Sequence, residues 1–159
     1  MNAELMALSD IDKLVPLFDQ YMVFYGQPSD PERYKVYLIE RLKNNEATVY
    51  LAFNEKLESI GFVLNYQTFS SVSLGRVVVL NDLFVVPAAR QKGVAKALIE
   101  CSVNLAKETG SVRVDLGTAK TNSNAQALYE QLGFEKDTEY FAYSFACNIS
   151  GAVSRKLID

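Results

Sequence analysis

Between Phe84 and Glu100 the chain reads FVVPAARQKGVAKALIE: an apolar run, a proline, then Arg90, Lys92 and Lys96 gathered around Gly93 where an amphipathic helix begins. A strand that stops at Pro87 and re-emerges as a helix near Gln91 exposes backbone N–H groups that lack intrahelical acceptors. They lie at the positive end of a helix dipole. Gly93 permits close approach, Ala95 is small, and the basic side chains add charge, so the expected ligand is a phosphate ester. The competing reading is turn geometry with solubilising charge. The loop is neither the G-x-G-x-x-G dinucleotide fingerprint nor the G-x-x-x-x-G-K-[ST] nucleotide loop, which disfavours a nicotinamide or ATP enzyme.

Histidine is absent from all 159 residues. That removes Ser/His/Asp and Cys/His nucleophiles and every His-containing metal site. Two cysteines, Cys101 and Cys147, cannot build a four-cysteine zinc cage, so no metal is expected. Proton transfer must then use carboxylates, tyrosine, lysine, cysteine or water. Lys plus Arg total 16 against 19 Asp plus Glu, a net charge of -3, which offers no basic field for nucleic acid and suits a cationic substrate. No apolar run approaches the ~20 residues needed to span a bilayer. The N-terminus lacks a basic-then-apolar leader, and with so few cysteines a reducing cytoplasm is the expected compartment, without membrane partners.

Several elements must position these residues. Ala3 to Leu8 reads as a short strand. A helix follows, opened by Ser9 and Asp12 and carrying Ile11, Leu14, Val15, Phe18, Tyr21 and Met22, with Pro16 expected to bend it. Asp30 and Pro31 open a second helix, with Tyr34, Tyr37, Leu38 and Leu42 on one face and Asn44 and Asn45 at its end. ATVYLAF, ESIGFVLNY and a long run from Leu74 to Val86 read as an antiparallel meander with a polar break, QTFSSVS, between the last two. The basic turn leads into a helix with Val94, Ala97, Leu98, Cys101 and Leu105 on its apolar stripe, so Cys101 reads as a structural thiol. VRVDLGT follows a helical crossover and is expected parallel to the Leu74 strand. A short helix from Ser123 to Gln131 ends at Gly133, and EYFAYSFAC is read as a last strand carrying Cys147. The whole is read as a single α+β domain over 1–159, a mixed sheet in a three-layer arrangement with flanking helices.

The strand, the proline and Arg90-Gln91-Lys92-Gly93-Val94-Ala95 resemble the R/Q-x-x-G-x-G/A signature of the Gcn5-related N-acetyltransferases. NSNAQALYEQLGF resembles the same family's second signature, N-x-x-A-x-x-L-Y-x-x-x-G-F, through Asn122, Ala125, Leu128, Tyr129, Gly133 and Phe134. The fold order is similar over nearly the whole chain, with sharp motif matches from about Asn81 to Phe134. YxxFYG, YQTFSS and LNDLFV are similar to the branch that acetylates polyamines or lysine-like small amines.

That resemblance implies acetyl-CoA as cosubstrate. Two parallel strands splay apart, and the pantetheine arm pairs with Leu83, Phe84 and Val85. The pyrophosphate is expected on the amides of Gln91 to Lys96, beside Arg90, with Asn122 and Ala125 on the cofactor's other side. Tyr129 would protonate the leaving thiolate. A primary amine with a pKa near ~10.4 must lose a proton before attack, and Asp82 is the candidate base. Many polyamine acetylating relatives carry an acid where this chain has Asn81. Asp82 also has a plainer reading as a surface carboxylate on an alternating strand, and Tyr129 as a packed core ring with a local hydrogen bond. Tyr25, Asn81 and Asp82 are expected to contact the acceptor, within an aromatic and acidic wall from the first two helices. The alternatives are a protein lysine or N-terminal acetyltransferase, or an acyl-CoA-binding module without turnover. A homodimer through the C-terminal strands is a further implication of the family.

Overall fold

The computed structural model describes residues 1–147, in two compact units that run from Met1 to Leu116 and from Gly117 onward. In the first unit the elements are β1 (Asn2–Leu5), α1 (Ile11–Phe24), α2 (Pro31–Lys43), β2 (Ala47–Phe53), β3 (Ser59–Ser70), β4 (Gly75–Val85), α3 (Val94–Glu108) and β5 (Arg113–Leu116). The five strands form one sheet in the order β1-β2-β3-β4-β5. Every neighbouring pair is antiparallel except β4 and β5, which are parallel. The meander and the parallel return after a helix are as the sequence leads one to expect.

The boundaries differ in informative places. β3 runs on through Gln67–Ser70, part of the expected polar break, because Gln67 to Ser70 pair with Val78 to Gly75 and the turn tightens onto Ser71–Leu74. β1 stops at Leu5, and a single 3-10 turn at Leu8–Asp10 precedes α1, whose N-cap is Asp10 and not Ser9. Pro16 lies inside α1 on its exposed side. In α2 the expected cap is present: Asp30 Oδ1 accepts from the Arg33 N–H at 3.2 Å, with Pro31 in the first turn.

Two helical layers sandwich the sheet. Leu14, Phe18, Tyr34 and Leu38 of α1 and α2 share a core with Val49, Leu51, Phe62, Leu64 and Phe84. Residues of β3 between these, Gly61 and Val63, point the other way by strand alternation. There α3 packs. A Cβ on Gly61 would lie 3.3 Å from Leu98 Cδ1 and 2.8 Å from the Phe84 carbonyl oxygen. Because that second neighbour is backbone, Gly61→Ala is expected to destabilise the fold by about 1–3 kcal/mol, read as a lower urea midpoint with unchanged slope.

The buried face of α3 consists of Val94, Leu98, Ile99, Ser102 and Ala106. It is turned from the expected stripe, so Cys101 is only half-buried, though burial still raises its thiol pKa. The second unit contains α4 (Ser123–Gln131). Leu128, Leu132 and Phe134 are only partly buried. Residues 139–147 are not in a strand, and Tyr140, Phe141, Tyr143, Phe145 and Cys147 are exposed. The expected last strand and the buried Cys147 are both corrected by this. No helix among the described residues is long and apolar enough to cross a membrane.

Candidate active site

β4 changes partners and register at one point. Leu80 pairs with Asn65 and Asp82 with Leu64, which leaves Asn81 without a partner on β3 as a β-bulge. The parallel ladder to β5 also ends there, at Leu80 opposite Leu116, while β4 continues to Val85 on β3 alone. Past the bulge, Asp82 and Phe84 lie opposite Leu64 and Phe62, on the face covered by α1 and α2. Asp82 is therefore 7% exposed, and the reading of a surface carboxylate is overturned. Alternation alone missed this because the bulge resets which face each residue meets.

The Tyr21 hydroxyl donates to Asp82 Oδ1 at 2.6 Å, and Asn81 Nδ2 donates to Oδ2 at 3.1 Å. Burial pushes the Asp82 carboxyl above the usual carboxylate range, and these two hydrogen bonds pull against it. Around it stand more tyrosines. Tyr25, half-buried at the end of α1, has its ring centroid 4.8 Å from that of Tyr21. The Tyr66 hydroxyl lies 2.7 Å from that of Tyr37, and the Arg41 guanidinium sits over the Tyr37 ring at 5.0 Å. Burial first, and the Asp82 charge further down, raise the pKa of the Tyr21, Tyr25 and Tyr66 hydroxyls. Those hydroxyls stay neutral donors. Of this cluster Tyr25, Asn81 and Asp82 were legible in the sequence. In the sequence Tyr21 and Tyr37 belong to the aromatic wall, Tyr21 also opens YxxFYG and Tyr66 opens YQTFSS, but none of the three carries an expected role of its own. A signal existed for Tyr21: it shares a helix face with Phe18 and Tyr25 at i−3 and i+4.

The basic turn is built differently from the expectation. A 3-10 turn at Pro87–Ala89 follows β4, and α3 begins at Val94 and not near Gln91. Gln91 and Gly93 both take left-handed φ, 58° and 81°, which no helix can include. The basic side chains mostly brace the protein. Arg90 Nε donates to the Val85 carbonyl at 3.0 Å, and its guanidinium lies over the Phe24 and Phe84 rings at 5.8 and 5.9 Å. Lys92 Nζ donates to the Ala88 carbonyl at 2.9 Å, and Lys96 stands 4.0 Å from Glu100.

What the turn offers an anion is backbone. Gly93, as N-cap, supplies no side-chain acceptor to the first-turn N–H groups of Val94, Ala95 and Lys96, and a Cβ on it would meet nothing within 4 Å. A phosphate fits this cradle. Along β4, the Val86 N–H is bonded to the Ile60 carbonyl. Antiparallel alternation then turns the N–H and C=O groups of Leu83 and Val85 away from β3, toward the side on which β5 has ended, and ties those of Phe84 to β3.

In the second unit, Asn122 Oδ1 accepts from the Ala125 N–H at 3.2 Å, so Asn122 is the N-cap of α4 and lies outside the helix that carries Tyr129. The Tyr129 ring packs edge-on against Phe134 at 5.8 Å, and the Phe134 N–H closes onto the Tyr129 carbonyl. Gly133, at φ 91°, makes that return possible.

The profile of the acetyltransferase (GNAT) family matches residues 14–134. The chain belongs to this family. It is similar to the uncharacterized N-acetyltransferase YhfO of Bacillus subtilis, 43% identical over 143 residues that cover 90% of this chain and 95% of that protein. A crystal structure of a probable acetyltransferase superposes with a TM-score of 0.87 at 37% identity, covering 94% of this chain and 99% of the other. The thialysine N-epsilon-acetyltransferase of Caenorhabditis elegans is 25% identical over 148 residues, 93% of this chain and 91% of its own length. The chain is thus a GNAT acetyltransferase with the family's mixed sheet and parallel strand pair. The family draws its acetyl group from acetyl-CoA.

Proposed function

We propose that this GNAT enzyme acetylates a small primary amine that arrives as an ammonium ion, with Asp82 as the base that deprotonates it. One observation carries the reading. Asp82 is a buried carboxylate whose hydrogen-bond partners, Tyr21 and Asn81, are both uncharged. A buried charge left without a counter-ion is costly, so a site of this kind favours an incoming cation. The tyrosines around it suit an alkylammonium through their ring faces and hydroxyls. The similarity to the thialysine N-epsilon-acetyltransferase, named for a lysine-like amine, supports the same class.

Acetyl-CoA supplies an acetyl carbonyl activated as a thioester. The amides of Val94, Ala95 and Lys96 receive its diphosphate, and Leu83 pairs with its amide-bearing arm along the side of β4 turned from β3, beside Val85, whose carbonyl is held by Arg90. Arg90 and Lys92 hold the turn in shape, Gln91 and Gly93 give it its left-handed bends, and Asn122 and Ala125 open the helix that presents Tyr129. Asp82 takes one proton from the ammonium, the freed nitrogen attacks the acetyl carbon, the C–S bond breaks, and the nitrogen gives up its second surplus proton to water, which returns one to the Tyr129 oxygen. The Val85 N–H meets the charge that develops on the acetyl oxygen, while Tyr129 gives its hydroxyl proton to the departing sulfur. Tyr25 and Asn81 border the acceptor.

Both compact units belong to one catalytic domain in this reading, supported by a family match that runs across Leu116 and Gly117. A cytoplasmic location is part of it too, supported by two free thiols. So is a homodimer, supported by the exposed aromatic residues Tyr140, Phe141, Tyr143 and Phe145.

Titration calorimetry with CoA, followed by a panel of polyamines, amino acids and lysine peptides assayed for CoA release, tests the proposal. Gly93→Val places a β-branched residue at φ 81°, a conformation that costs an L-residue about 1–2 kcal/mol or more, and it should weaken CoA binding by about tenfold. Unaltered affinity in that variant would take the turn out of the binding site. Binding of CoA with no turnover of any amine would leave an acyl-CoA-binding module.

A further inference from the structure

We propose that Tyr21 is a positioning residue for acetyl transfer: its hydroxyl, reaching from α1 to Asp82 Oδ1 on β4, fixes the plane of that carboxylate and keeps it ready to accept a proton. The inference rests on the reading of Asp82 as the base and adds a residue that reading does not require.

Three observations support it. The bond is short, 2.6 Å, and it joins residues far apart in the chain, so it forms only when α1 is seated on the sheet. The Tyr21 ring cannot swing away. It is held edge-on by Phe62 at 5.8 Å, Phe84 at 6.4 Å and Tyr25 at 4.8 Å, with Phe18 tilted against it at 5.8 Å. The hydroxyl also remains protonated across any working pH, because burial and the adjoining Asp82 charge raise its pKa strongly. A donor of that kind favours the ionised form of its acceptor and opposes the effect of burial on Asp82. The two donors divide the carboxylate between them, Tyr21 on Oδ1 and Asn81 on Oδ2, which sets its rotation.

The other groups around Asp82 cannot replace Tyr21. From α1, Tyr25 acts only through its neutral hydroxyl, and from β3, Tyr66 shares its hydrogen bond with Tyr37 of α2, beneath Arg41. From β4, Asn81 is uncharged and belongs to the bulge.

The test needs no acceptor. The Asp82 carboxyl carbon is followed by 13C NMR as pH is raised, in the wild-type protein and in Tyr21→Phe, which keeps the ring and removes only the donor. The expected result is that the titration of Asp82 moves to higher pH in the variant. A second probe, 3,5-difluorotyrosine placed at position 21, has a more acidic hydroxyl and should move it the opposite way. An Asp82 titration that stays in place in both, or moves down in Tyr21→Phe, overturns the proposal.

Kinetics then separates this inference from the one beneath it. If Asp82 is the base, kcat/KM in Tyr21→Phe falls about tenfold or more on the acidic limb of the pH profile and recovers as pH rises, since a hydrogen bond to a charged group is worth about 1.5–3 kcal/mol. A merely structural role would lower kcat/KM by the same factor at every pH. If the titration moves and Asp82→Asn still turns over at the wild-type rate, the base reading fails while the bond's effect on Asp82 stands.

Discussion

Asp82→Asn is expected to lower kcat by on the order of 10²–10⁴, the usual contribution of a positioned general base, while binding of CoA is kept. Beyond the contact with Asn81, whose side-chain amide must turn to present its oxygen to the new NH2, the substitution changes little else. An asparagine is nearly isosteric, its amide oxygen can still accept from Tyr21, and the site remains on the bulge. The same variant should be more stable than wild type at neutral pH. Burial raises the Asp82 pKa above its unfolded value, so the unionised form is the one the fold prefers. The associated stability is fully present below the unfolded carboxylate pKa and is lost as pH rises through the raised folded value. Wild type therefore carries the cost of a buried charge at neutral pH, and the variant does not. Thermal unfolding of the two proteins from pH 3 to pH 8 should show curves that diverge as pH increases, with the variant higher. Wild-type turnover in Asp82→Asn would remove this residue from the mechanism. The reverse order of stabilities would show that the carboxylate is satisfied in the resting protein.

Tyr129→Phe is the second large effect. Loss of the proton donor for the thiolate should reduce kcat by on the order of 10²–10⁴, with CoA affinity measured by calorimetry nearly unchanged. The ring's edge-on contact with Phe134 does not use the hydroxyl and is kept in the variant. The loss should also shrink for an acyl donor whose leaving thiol is more acidic, since a better leaving group has less need of a proton. A variant that releases CoA as fast as wild type would return Tyr129 to a packing role. A parallel loss of CoA affinity would make it a binding residue.

How much of this could be read from the chain depends on the range of the interactions involved. The elements of the first unit were legible because they are written locally. Asp30 and Pro31 mark the start of α2 and ATVYLAF alternates as β2; in the second unit, the helix expected at about Ser123 to Gln131 is α4. The strand–proline–glycine turn before α3 was legible for a similar reason, though the helix starts at Val94 and not near Gln91. EYFAYSFAC was misread because a strand's pattern says nothing of whether a neighbour exists to form a ladder with it, and residues 139–147 are not in a strand.

The site's chemistry depended on longer-range facts. Arg90 looks in sequence like a rim charge for phosphate, yet it is bonded to Val85 and stacked on Phe24 and Phe84, because the turn folds back onto the strand it has just left. Asp82 looks like a surface acid until the bulge at Asn81 carries it to the α1 and α2 face. Tyr21 is one more amphipathic ring until α1 settles on β4 and closes a 2.6 Å bond.

The amino-acid sequence by itself therefore determined the family, the order of elements through α4 and the absence of any histidine mechanism. All of these rest on residue types and spacings within a few turns of chain. The tertiary structure alone decided that Asp82 is buried beside uncharged donors and that Tyr21 is the residue holding it. A carboxylate's environment is set by the elements packed against it, and a one-residue bulge in β4 was enough to change which elements those are.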